Sequence, residues 1–336
     1  MIIMSSLTKS RKDDHIRICL DKDVEFRKAN GFEHIELEHR ALPEIGRDDI
    51  DLKTKFLGKK FSSPLFIEAI TGGTKVGEKI NKNLAKAAEA LGIGMGLGSQ
   101  RAMLEDARLV RTYHVRDVAP SIFLLGNIGA AQVREYDTEK IMSLVEAIKA
   151  DGLAVHLNVA QELAQKEGDK SWKGIFDDIR FLCKKAKFPL IVKETGCGIS
   201  GKLSRELVTG GVKAIDIAGA GGTSWVKVDS HRTNEDVSHI EEWGIPTAEA
   251  LRDVAKSVKV PIIASGGIRN GVEVAKALAM GASLAGMALP LLKPATESAE
   301  SVKKILEKVI SQLTDAMFLV GAKNINELKK VRIFYT

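Results

Sequence analysis

The chain has 336 residues, 44% hydrophobic and 28% charged, the composition of a globular protein with a sizeable core. Its formal net charge of +6 is spread along the chain with no basic strip interleaved with aromatics, which argues against nucleic acid and suits a small anionic ligand. Three cysteines without paired spacing point to a reducing cytoplasm, charge arrives too early for a signal peptide, and no apolar run approaches a membrane span of ~20 residues.

In chain order, residues 1–60 are polar and irregular and read as an N-terminal arm or lid. From Ser63 onward, short apolar runs alternate with amphipathic segments. The runs are Pro64–Ile70, Ile93–Leu97, Ile122–Leu125, Leu153–Leu157, Pro189–Lys193, Ala214–Ala218, Pro261–Ser265 and Ser283–Met287. Most are near-continuously apolar, as parallel strands covered on both faces require. The stripe Ile80, Leu84, Ala87, Ala88, Leu91 predicts a helix over Glu78–Leu91. Further helices are predicted over Thr138–Ala150, Trp172–Lys187, Thr247–Lys259 and Val272–Gly281. Gly92, Gly152 and Gly281 sit where a helix C-cap needs positive φ. Eight strands alternating with helices predict an α/β fold, a (β/α)8 TIM barrel over 61–295 in a single domain 1–336; an open doubly wound sheet is the alternative. Residues 296–336 read as a helical tail built on one long helix, Val302–Val320.

Barrel chemistry sits at the C-terminal strand ends, and polar or glycine-rich residues gather there. The first strand ends in Ala69-Ile-Thr-Gly-Gly73, which suits a close backbone approach to a flat ligand and equally suits a plain turn. The second ends in Gly98-Ser-Gln-Arg101, where Arg101 offers a fork for an anion or a surface salt bridge. The third ends in Gly126-Asn-Ile-Gly129, equally ambiguous. The fourth carries His156 and Asn158 on one side of the pleat, followed by Gln161 and Glu162. Four such groups at a strand end are poorly explained as core, since each costs ~1–3 kcal/mol if buried unpaired. Lys193 closes the fifth apolar run and needs a negative partner or a path to water. Glycine-rich backbone follows the sixth strand (Gly219 to Trp225) and the seventh (Ser265-Gly-Gly267). Such loops, leading into a helix N-terminus, predict a phosphate site. Glu162 is a carboxylate suited to Mg²⁺ held jointly with phosphate oxygens. Triad order, CxxC, HExxH and Walker A are all absent.

Together Arg11-Lys-Asp-Asp-His15, Thr71-Gly-Gly73, Gly98-Ser-Gln-Arg101, His156-x-Asn-x-x-Gln-Glu162, Val192-Lys-Glu194, Gly221-Gly-Thr-Ser-Trp225 and Ser265-Gly-Gly-Ile-Arg269 resemble the type 2 isopentenyl diphosphate isomerase family, in order, over about residues 9–330. The resemblance implies an FMN-dependent barrel enzyme that interconverts isopentenyl and dimethylallyl diphosphate with Mg²⁺, NADPH serving only to reduce the flavin. It implies a cytoplasmic homo-oligomer, tetramer or octamer. Carried onto this chain, it implies that Ala69, Ile70, Thr71, Ser99, Asn127, Lys193, Thr223 and Ser224 hold FMN, and that Gly267, Arg269 and Ala288 complete its phosphate site. Arg11, Lys12, Ser99, Arg101, His156 and Asn158 would grip the diphosphate. Gln161 would stand beside the reacting carbons, Glu162 would take Mg²⁺, and Trp225 and Asp229 would line the far side of the alkene.

Two departures stand out: Asp229 replaces a longer Glu, and relatives continue into a further short helix where this chain ends at Phe334-Tyr-Thr336. The rival reading is an FMN-dependent 2-hydroxy acid oxidase, which shares the glycine-rich phosphate end but wants a late His base that the sequence does not offer. Inosine-monophosphate dehydrogenases need a Cys in the loop after the sixth strand, and Gly219 to Trp225 has none.

Overall fold

Each of the eight apolar runs forms a parallel strand: β1 (Leu65–Ile67), β2 (Gly94–Gly96), β3 (Leu124–Gly129), β4 (Gly152–His156), β5 (Leu190–Lys193), β6 (Ala214–Asp216), β7 (Ile262–Ala264) and β8 (Leu284–Met287). The computed structural model, which describes residues 2–233 and 235–336, shows them paired in chain order with β8 closing on β1. That closure removes every sheet edge and rules out the open doubly wound sheet. Leu65, Ile67, Met95, Leu124, Ile191 and Ile263 are each at most 1% exposed, so the strands are apolar because helices or barrel interior cover both faces.

The connecting helices form where sequence provides both a stripe and an end signal. The helix Lys75–Leu91 buries Ile80, Leu84 and Ala88 against the barrel. Thr74 caps its start, accepting from the Gly77 amide at 3.0 Å, and Gly92 ends it at φ 61°. Gly281 likewise takes a positive φ of 110° beyond its helix. Gly152 does not cap a helix as expected. It opens β4, and Lys149 takes the positive φ instead, at 53°. The reason for glycine at 152 is crowding, since a Cβ there would lie 2.8 Å from the Pro189 carbonyl.

The arm is more ordered than an irregular reading allows. Residues Ile2–Asp21 form a helix, and Thr54–Phe56 pairs with Lys59–Phe61 as a hairpin. The helix lacks an apolar stripe of its own; Ile16 and Ile18, two residues apart, are both buried, so tertiary contact rather than periodicity holds it. The tail is not purely helical either. After Ala299–Leu319 and the short helix Ile325–Leu328, residues Ile333–Tyr335 pair antiparallel with Ile35–Leu37. Among the described residues no helix is long and apolar enough to cross a membrane.

Helix Gly271–Ala279 packs closely on Ala299–Leu319 through Gly271, where a Cβ would come within 2.2 Å of the Leu313 amide nitrogen and 2.3 Å of the Val309 carbonyl. Gly271→Ala is therefore expected to cost ~1–3 kcal/mol of stability, read as a lower midpoint of chemical unfolding. An unchanged midpoint would mean that the two helices separate without penalty.

Candidate active site

Strand register builds the site. Gly129, His156, Lys193 and Asp216 are successive lateral neighbours across β3 to β6, which lines up an imidazole, an ammonium and a carboxylate at the C-terminal rim. The pocket above them holds about 240 Å³ of cavity and is open to solvent.

Into this pocket β1 sends Ala69, Ile70 and Thr71, the loop after β2 sends Ser99 and Arg101, and β3 sends Asn127. β4 and the turn after it bring His156, Asn158, Gln161 and Glu162; β5 brings Lys193. Thr223, Trp225, Gly267, Arg269 and Ala288 come from the last three strand ends, while Arg11 and Lys12 descend from the N-terminal helix. Two expected site residues do not line the pocket. Ser224 is fully buried, and its hydroxyl donates to the Glu241 carbonyl at 2.8 Å while capping the helix Trp225–Thr233. Its side chain thus acts here as a structural cap that faces away from the pocket. Asp229, also fully buried, stands behind Gln161.

Four donors converge on Asp229: Gln161 Nε2 at 2.9 Å, Gln165 Nε2 at 2.8 Å, Arg232 Nε at 2.9 Å, and His15 Nε2 at 3.1 Å. Burial opposes its charge, yet hydrogen bonds from His15, Gln161 and Gln165 hold the carboxyl down at about 2. The His15 ring in turn meets Trp225 edge-on, 5.3 Å between centroids. Asn158 Nδ2 donates to Glu162 Oε1 at 2.9 Å and to Gln161 Oε1 at 3.3 Å, so Asn158, Gln161 and Glu162 are fixed by one another. Glu162 Oε2 also accepts from the Asp169 amide at 2.8 Å. Among the described residues no set of three His, Cys, Asp or Glu side chains converges to hold a metal.

On the cationic side Arg101 Nε donates to Glu105 Oε1 at 3.0 Å and Arg11 lies 3.8 Å from Glu167, whereas Lys12 meets only uncharged groups. Lys12 Nζ donates to the Ser99 carbonyl at 2.6 Å and to the Tyr113 hydroxyl, neither of them charged. Burial, and then Arg11, pull its ammonium down to about 7, with Glu105 opposing. Arg11 is lowered by burial and by Arg101. Burial, then Lys193 and Lys12, push His156 down to about 3. Its Nδ1 lies 2.7 Å from Asn127 Oδ1, so a neutral ring donating there leaves Nε2 unprotonated.

Two glycine loops form the other side. A Cβ on Gly267 would lie 2.3 Å from the Gly221 carbonyl, and one on Gly222 would lie 2.5 Å from the Gly267 amide nitrogen. Among the described residues no hydrogen bond engages the amides of Gly266 and Gly267. Close backbone approach with free N–H groups makes a cradle for a phosphate dianion.

Sequence reading missed Glu68, Gln165 and Tyr113. An acidic residue inside the apolar run Pro64–Ile70 was a usable signal for Glu68. Gln165 and Tyr113 gave none, because both join the site through tertiary contact.

Over residues 14–159 and 131–334 the sequence matches the FMN-dependent dehydrogenase family. An isopentenyl-diphosphate delta-isomerase from Pyrococcus furiosus is 46% identical over 98% of this chain and 87% of its own length. Another from Methanoregula boonei is 47% identical over 98% and 94%. The chain belongs to the isopentenyl-diphosphate delta-isomerase family. A relative in Nostoc sp., 43% identical over 97% and 95%, extends the likeness to bacteria. Among solved structures, a flavocytochrome b2 variant with pyruvate bound has a TM-score of 0.68 at 18% identity, covering 95% of this chain and 82% of that one. A lactate oxidase of Pediococcus acidilactici gives 0.67 at 20% identity over 91% and 85%. At such identities the oxidases share the barrel with the isomerase family and nothing finer.

An imidazole held near 3 stays neutral at neutral pH. The unfolded chain takes that proton near 6.5, so this residue's effect on stability is lost progressively as pH falls from 6.5 toward 3. An NMR titration of the ligand-free protein should show the His156 ring unmoved between about pH 8 and 5. A midpoint near the ordinary value would contradict the burial argument.

Proposed function

We propose that the chain interconverts isopentenyl and dimethylallyl diphosphate as an FMN-dependent isomerase of isoprenoid biosynthesis. One observation carries the reading beyond family membership. The same barrel mouth holds two anion sites: the glycine cradle of Gly222, Gly266 and Gly267, and across from it the basic cluster of Arg11, Lys12 and Arg101, in which Lys12 is buried with no carboxylate bound to it. A cofactor with one phosphate and a substrate with a diphosphate need that division.

In this reading Ala69, Ile70, Thr71, Ser99, Asn127, Lys193 and Thr223 hold the FMN ring and ribityl chain, and Gly267, Arg269 and Ala288 its phosphate. Reduced FMN, when bound, supplies an electron-rich face that stabilises positive charge developing at the tertiary carbon. Every other task falls to the chain. Arg11, Lys12, Ser99, Arg101 and Asn158 grip the diphosphate, joined by His156 once the anion draws a proton onto its Nε2, and the trianion supplies the charge that buried Lys12 lacks. Glu162 holds Mg²⁺ jointly with diphosphate oxygens, through lone pairs left on its two engaged carboxylate oxygens.

The reaction adds a proton to the terminal methylene and removes one from the carbon two positions away. Asp229, ionised at neutral pH, has no proton to give; it fixes the Gln161 amide and the His15 ring beside the carbon chain. Trp225 forms the wall behind them. NADPH keeps the flavin reduced. The assembly is a homo-oligomer, tetramer or octamer, in keeping with exposed Val159 (53%), Leu163 (53%) and Trp243 (67%), and the enzyme is cytoplasmic.

Anaerobic conversion of isopentenyl diphosphate with FMN, NADPH and Mg²⁺ tests the reading. Flavin-loaded protein inert in that assay, or oxygen-consuming turnover of lactate or glycolate, overturns it. Gln161→Ala should lower kcat by ~10²-fold or more while leaving FMN affinity nearly unchanged; equal losses in both would contradict its placement. Arg11→Ala should raise KM about tenfold with a smaller effect on kcat, and an unchanged KM would remove Arg11 from the diphosphate site.

Lys12 adds a pH signature. With its ammonium at about 7 before the anion arrives, diphosphate binding takes up a proton above that pH. Pyrophosphate affinity, measured calorimetrically in buffers of different ionisation enthalpy, should weaken by up to about tenfold per pH unit there. Binding without proton uptake would show that Lys12 is already charged.

A further inference from the structure

Glu68 follows β1 and lies in the otherwise apolar run Pro64–Ile70, yet its side chain lines the pocket floor. It is 5% exposed, and neither carboxyl oxygen has a hydrogen-bond partner. The barrel makes room for it: a Cβ on Gly286 of β8 would lie 2.3 Å from Glu68 Oε1. The charged groups facing it are Lys193 from β5, 3.5 Å from Oε2, and Asp216 from β6, which lies 3.3 Å from the same ammonium. Gly286 of β8 and, beside that glycine, Ser265 add no charge.

Two carboxylates thus flank one ammonium, leaving one surplus negative charge if both ionise. Asp216 is the satisfied member, since its Oδ1 accepts from the Ser265 hydroxyl at 2.5 Å. Glu68 therefore takes the proton. Burial and Asp216 push its carboxyl well above the ordinary carboxylate range, more than Lys193 pulls it down. A neutral carboxyl buried in this way can turn its O–H toward the Asp216 carboxylate or toward a ligand above the floor, and neither of its oxygens is yet committed by a close hydrogen bond.

We propose that Glu68 is a cofactor-positioning residue whose protonated carboxyl donates to a carbonyl or ring-nitrogen acceptor on the flavin edge beside Lys193, and whose ionisation weakens that binding. This rests on the FMN reading above. Ionised Glu68 would turn the floor net negative beneath an electron-rich ligand, whereas neutral Glu68 leaves Lys193 and Asp216 as a balanced pair.

The test uses the full-length chain stripped of flavin and titrated with FMN by fluorescence quenching, from about pH 7 to about pH 9. Wild-type affinity should fall with rising pH, by up to about tenfold per unit. Glu68→Gln, which keeps a neutral donor, should match wild type at the low end and lose that component of the pH dependence; its curve also accounts for titration of the FMN phosphate. Glu68→Ala should bind at least about tenfold more weakly throughout. Pyrophosphate binding reports that each variant is folded. A Gln variant that titrates like wild type, or an Ala variant that binds FMN as tightly, overturns the assignment while FMN binding itself stands. A wild-type chain that takes no FMN overturns the cofactor reading and the assignment with it.

Discussion

The Lys193 ammonium is held at the centre of a barrel, where a cation survives only with carboxylate beside it. Burial pulls its charge down, and Asp216 beside it does most to offset that, so the group stays protonated above its ordinary value. Register makes the arrangement possible, because Lys193 on β5 is the lateral neighbour of Asp216 on β6. The same lateral row places His156 on the other side, where the nearby ammonium helps to keep the imidazole neutral.

Around that centre the mouth divides electrically. The floor, with Lys193, Asp216 and Glu68, balances its own charges within the barrel. The wall built by Arg11, Lys12 and Arg101 does so only in part: Glu167 and Glu105 face the two arginines, while Lys12 bonds only uncharged groups. Asp229 belongs to neither half. With four donors around one fully buried carboxylate it is a structural anchor from which Gln161 and His15 reach into the pocket. A carboxylate so engaged defines positions rather than trading protons.

Much of this was legible from residues alone. All eight strands were visible as apolar runs, because a parallel strand covered on both faces carries its burial in every position. The polar cluster after β4 was visible because a strand end crowded with His156, Asn158, Gln161 and Glu162 has no core explanation. What escaped was held by contact between distant parts. The helix Ile2–Asp21 has no stripe of its own, Ser224 differs from its neighbour Thr223 only in which way it faces, and Gly152 answers to Pro189 on another strand. Gln165 is an ordinary polar residue until folding brings Asp229 to it.

The pairing of Ile35–Leu37 with Ile333–Tyr335 has a bearing on how the molecule is made. Contacts between segments so far apart form late, since the loop that must close is nearly the whole chain. The segment carrying Arg11 and Lys12 over the mouth has an anchor of its own before that strand: the Phe26 amide donates to the Gly222 carbonyl and the Ser224 amide to the Val24 carbonyl, each at 2.8 Å. The arm therefore does not wait for the two ends of the chain to pair before it is held to the barrel.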